Sequence, residues 1–65
     1  MFHKFKIGQP VGYRPPHGLC VPEGTFIVTA LLPERDGHFE YRIRYPTEAQ
    51  DRVVCEDELH RRQVQ

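Results

Sequence analysis

From His38 to Tyr45 the chain alternates without a break: Phe39, Tyr41, Ile43 and Tyr45 fall on one parity, His38, Glu40, Arg42 and Arg44 on the other. Successive side chains of an extended strand point to opposite faces, so this period of two predicts a half-buried strand with an apolar inner face and a charged outer one. Asp36-Gly37 stands immediately before it and marks a turn.

Similar but shorter patterns surround this segment. Val11 and Tyr13 share a parity, and Pro10 to Tyr13 reads as a first strand. Thr25 to Leu32 is β-rich, with Phe26, Val28 and Ala30 on one face and Ile27, Thr29 and Leu31 on the other. Pro33 to Gly37 is polar and turn-forming, so with strands on both flanks it reads as a hairpin loop. Asp51 to Glu56 resumes the alternation with Val53 and Cys55 on one side, Arg52 and Val54 on the other. Between the first two strands, Arg14 to Gly24 holds three prolines and two glycines, which bar both helix and central strand and predict a long excursive loop. Glu56 to His60 has room for one helical turn anchored by Leu59. Residues 1–9 read as a lead-in segment and residues 61–65 as a flexible tail.

A chain of 65 residues makes a single domain and buries only about 60% of the surface its unfolded form exposes. The apolar fraction is 38%, concentrated at alternating positions, which argues for a folded chain rather than a disordered one. Nine Lys or Arg balance nine Asp or Glu, so the chain as a whole lacks the long-range attraction that dominates nonspecific nucleic-acid binding. The N-terminal residues lack the apolar run of a signal peptide, and no stretch of about 18 apolar residues spans a bilayer, so a cytoplasmic location is the expectation. In that reducing compartment Cys20 and Cys55 are expected as thiols rather than as a disulfide.

The order of elements resembles an SH3-like barrel of the Tudor or KOW kind: about four or five short strands, a long Pro/Gly loop after the first, tight hairpins in the middle and one helical turn near the end. Leu32-Pro33, Asp36-Gly37, Tyr41-Arg42-Ile43, Arg52-Val53-Val54, Glu56 and Leu59 also resemble the pattern of short alphaproteobacterial SH3-like proteins, a group that brings no assigned function with it. The likeness runs from Val11 to Leu59 and implies a small all-β barrel. Tudor relatives that bind methylated ligands use an aromatic cage, but this chain has no Trp, and Tyr13, Phe39, Tyr41 and Tyr45 could build one only by leaving the core. In SH3-like barrels the loop after the first strand borders the usual binding groove, which by resemblance makes Tyr13 and Arg14 candidate contacts.

On the outer face, Arg42 and Arg44, with Arg52 facing the same way from a neighbouring strand, would place three guanidiniums where they could clamp phosphate or carboxylate groups. The alternative is a solvated face on which these arginines pair with Glu40, Glu48 and Asp51. His17, Cys20, Cys55 and His60 supply enough nitrogen and sulfur donors for a tetrahedral metal site, but their spacing is not that of a zinc ribbon or knuckle, so no metal or other cofactor is expected. A cysteine with a histidine, or the carboxylates Glu56, Asp57 and Glu58, could in principle serve catalysis. A chain this short leaves little room for a pocket of a few hundred cubic ångströms, so no enzymatic activity is expected.

These readings converge on a single all-β, SH3-like domain with a core of Val11, Phe26, Val28, Ala30, Phe39, Tyr41, Ile43, Val53 and Leu59. The expected role is non-catalytic binding through Tyr13, Arg14, Arg42, Arg44 and Arg52, with a protein surface preferred over nucleic acid because the net charge is zero. The competing expectation is a self-associating accessory protein that pairs an exposed edge strand with a second copy.

Overall fold

The computed structural model describes residues 3–16 and 20–62, and the alternating segment is a strand, as its periodicity predicts. Strands β1 (Pro10–Tyr13), β2 (Phe26–Arg35), β3 (His38–Arg44), β4 (Arg52–Cys55) and β5 (Leu59–Arg61) are joined by loops and by a 3₁₀ turn, Glu56–Glu58, ahead of β5. All pairings are antiparallel, in the order β4-β3-β2-β1-β5.

The β2–β3 hairpin is tighter than the sequence suggests. Asp36 and Gly37 have φ of 52° and 81°, the paired positive values that two-residue hairpin turns require. Arg35 and His38 are therefore already paired, and Pro33, expected in the loop, lies within β2. It is accommodated because the register shifts between Leu32 and Arg35, where no regular ladder bond is demanded of its missing N–H.

The buried residues form one cluster of Phe5, Val11, Phe26, Val28, Tyr41, Ile43, Val54 and Leu59, with Tyr13, Phe39 and Tyr45 packed against it. Two expected core positions are corrected. Val53 is 57% exposed and Val54 only 3%, because β4 pairs Val54 with inward-facing Tyr41 and Val53 with outward-facing Arg42; directly opposed residues share a face. Ala30 is half-buried on the outer face opposite Arg42. A register shift between Val28 and Ala30 reverses the alternation there, as a bulge does.

The expected closure into a barrel is also corrected: the hydrogen-bonded sheet is open, with β4 and β5 as its two edges. The Cys55 amide on the outer side of β4 donates to the Glu58 carboxylate at 2.9 Å, so the 3₁₀ turn caps that edge instead of leaving it for β5. Residues 3–9 close the fold in a different way. Gly8 N–H donates to Val28 C=O at 2.7 Å, Val28 N–H to Gln9 C=O at 3.1 Å, and Phe5 drops into the core at 2% exposure. The lead-in segment is thus a strap over the apolar face. Arg61, expected in a flexible tail, belongs to β5 and pairs with Val11.

Candidate binding groove

The outer face of the sheet places Arg42 and Arg44 side by side, as expected, but not Arg52. Arg52 is opposite inward-facing Ile43, whereas Arg42 is opposite Val53, so Arg52 points away from the other two and a three-guanidinium clamp does not exist. Arg44 Nε donates to Asp51 Oδ1 at 2.7 Å, and Arg52 pairs with Glu48 at 2.9 Å. Asp51 also accepts from the Thr29 hydroxyl at 2.6 Å. This hydrogen bond and the one from Arg44 hold the Asp51 carboxyl below its ordinary range. A depression of about 500 Å³ runs along Glu48–Arg52, but its charged groups are these same paired ones.

The expected aromatic set is divided between two places. Tyr13 meets Phe26 edge-on at 5.7 Å, and Phe26 meets Tyr45 at 5.2 Å. At the other end Tyr41 is fully buried, in contact with Phe5 and His3, while His3 also lies against Phe39. No open cage results.

Tyr13 and Arg14, by contrast, border an open groove of about 540 Å³. The expectation that so short a chain lacks the room for such a volume is overturned. One wall is the run Tyr13–Arg14–Pro15 leaving β1, the second is Cys20 to Gly24 at the far end of the long loop, and the third is His60 and Arg62 on and beyond β5. Each wall is fixed by an identifiable contact. Arg14 N–H donates to Glu58 C=O at 2.8 Å, holding the exit of β1 against the 3₁₀ turn. The Tyr45 hydroxyl donates to Glu23 C=O at 2.9 Å, and its ring lies against Gly24 so closely that an added Cβ would sit 3.2 Å from it; Gly24 has φ of +132°, a conformation that suits glycine.

His60 is positioned by Gly12. The two are paired across β1 and β5, and the imidazole lies where a Cβ on residue 12 would come within 2.1 Å of the ring. A glycine inside a strand is a sequence signal of such close approach. Arg62 extends back across the groove to within 3.5 Å of the Gly24 carbonyl. Burial, then the neighbouring Glu58 carboxylate, pushes the Tyr13 phenol up, so it stays neutral and can donate a hydrogen bond.

Cys20 is exposed and Cys55 half-buried, both as free thiols. Burial, followed by the charges of Glu58, Glu40 and Asp57, raises the Cys55 thiol and works against a nucleophilic thiolate. Among the described residues no group of three or more His, Cys, Asp or Glu side chains converges as metal ligands would; His17 lies outside the described residues. Comparison with protein-family models, with curated proteins and with solved structures yields no match.

Proposed function

We propose that this chain is a non-catalytic binding module of the SH3-like kind, engaging a protein surface through the groove between the long loop and β5. The single observation that carries the reading is the groove itself, which adjoins Tyr13 and Arg14 and combines half-buried apolar walls with exposed cationic side chains. Such a combination is common at recognition surfaces, where apolar contact supplies area and a few polar groups orient the ligand. A 3₁₀ turn ahead of the last strand and a long loop after the first agree with an SH3-like arrangement, although the sheet is open between β4 and β5.

The outer sheet face supports this role less well, because Arg44 already has a carboxylate partner and Arg52 faces the other way. Self-association through an edge strand has little backbone to draw on. The edges β4 and β5 are four and three residues long, and the Cys55 amide on one of them is already bonded to Glu58. Short, capped edges are poor templates for strand addition.

The test is a photo-crosslinking amino acid placed at Arg14, or separately at Arg42, in the full chain within its host. Groove engagement predicts a discrete crosslinked protein from position 14 and little from position 42. The reverse pattern would contradict it.

A further inference from the structure

We propose that the groove's partner is an acidic extended peptide segment, a deepening that rests on the binding-module reading above. The chain carries zero net charge, but its charges are unevenly placed and unevenly paired. Among the described residues the ion pairs are Arg44–Asp51 and Arg52–Glu48, both near the β3–β4 connection. Arg14, His60 and Arg62 line the groove, and among the described residues none of the three has a carboxylate within ion-pair distance.

The acids nearest the groove direct their carboxylates to other partners. Glu58, beside Tyr13, directs its carboxylate to the Cys55 amide at 2.9 Å, and Glu56 directs its own to Tyr41 and the Lys4 amide. Glu23 is the one acidic residue among the described residues that line the groove. Guanidiniums with no carboxylate partner among the described residues, set round a partly apolar trough, suit carboxylates, which they bind in bidentate fashion. The wall residues Tyr13, Val21 and Pro22 offer apolar contact to the alternate side chains of an extended chain.

A nucleic acid would present negative charge to the same residues, but its affinity grows with the number of phosphates neutralised. Two arginines and a histidine, with Glu23 among the lining residues, offer few such contacts, whereas a peptide can use the apolar wall residues as well.

A displayed library of random octapeptides, selected in parallel on the full chain and on the doubly reversed variant Arg14→Glu/Arg62→Glu, tests the proposal. Both arginines are exposed, and circular dichroism verifies that the variant folds. The expected result is enrichment of sequences rich in Asp and Glu on the native chain alone. Resynthesised winners should lose at least about tenfold in affinity when their acids become amides, and should weaken as salt rises. Enrichment without acidic bias, on the native chain alone, would overturn the acidic chemistry and leave the module standing. Tighter binding of an oligothymidylate than of any selected peptide would overturn it in favour of nucleic acid. Identical selections on both chains would overturn the groove itself, and with it the module reading.

Discussion

The hydroxyl of fully buried Tyr41 donates to Glu56 Oε2, joining the centre of β3 to the 3₁₀ turn that precedes β5. The same phenol oxygen accepts from the amides of Lys4 and Phe5 at 2.8 and 3.2 Å, and Glu56 accepts from Lys4 at 2.9 Å. Two side chains thus fasten the N-terminal strap over the core and hold the turn that sets the direction of β5, one wall of the groove. Burial and then the hydrogen bond to Glu56 raise the Tyr41 phenol. Burial alone would raise Glu56 too, but the hydrogen bonds from Tyr41 and the Lys4 amide, with the charges of His3 and Lys4, outweigh it and hold the carboxyl below its usual range.

Tyr41→Phe keeps the ring and removes this junction. The buried Phe5 amide then loses its acceptor and Glu56 one of its two donors, the Lys4 amide remaining, which costs about 1–3 kcal/mol. Urea unfolding should show a lower midpoint with an unchanged slope. Glu56→Gln, which keeps an acceptor, should cost less.

The same pair predicts the shape of the pH–stability curve. Glu56 has a folded value below its ordinary 4.5, so its contribution is present above that pH and is lost as pH falls through the folded value. Asp51 acts with the same sign. Tyr41 has a folded value above its ordinary 10.0, so its contribution is intact below that pH and is lost as pH rises through the folded value. Thermal melts should therefore show a plateau bounded by an acid and an alkaline limb, and Glu56→Gln should flatten the acid one.

Gly12→Ala tests how His60 is held. A methyl group at this position would overlap the imidazole, and since His60 is exposed the ring can swing outward, leaving β1 and its pairings in place. The expected result is a folded protein in which the His60 ring resonances move toward those of a solvated histidine, with weaker binding in the groove. Unchanged ring resonances would contradict the placement.

The strands were legible in the sequence wherever alternation is unambiguous. Phe39 to Tyr45 has one reading, and its phase fixes Tyr41 and Ile43 inward. Val53-Val54 has two, because adjacent valines satisfy either phase, and only pairing with Tyr41 decides between them. Ala30 was misread because nothing in Val28-Thr29-Ala30 announces a bulge. Phe5 looked like part of a lead-in because Gly8 and Pro10 break its pattern; its burial depends on the tertiary junction at Tyr41 and Glu56. Of the candidate contacts, Tyr13 and Arg14 do meet at a groove, whereas Arg52 left the expected set with the phase of β4. His60 and Arg62 were not foreseen as groove residues, although Gly12 within a strand was a usable signal.

The facing of β4 decides which side of the sheet is interior and which arginines share the outer face, so comparing Val54→Ala with Val53→Ala by urea unfolding is the most direct check. Val54→Ala should lower stability by about 1–3 kcal/mol, the scale of a buried valine, while Val53→Ala should stay within about 0.5 kcal/mol, as exposed substitutions do. A larger loss at Val53 than at Val54 would contradict the sheet's facing and the core built on it.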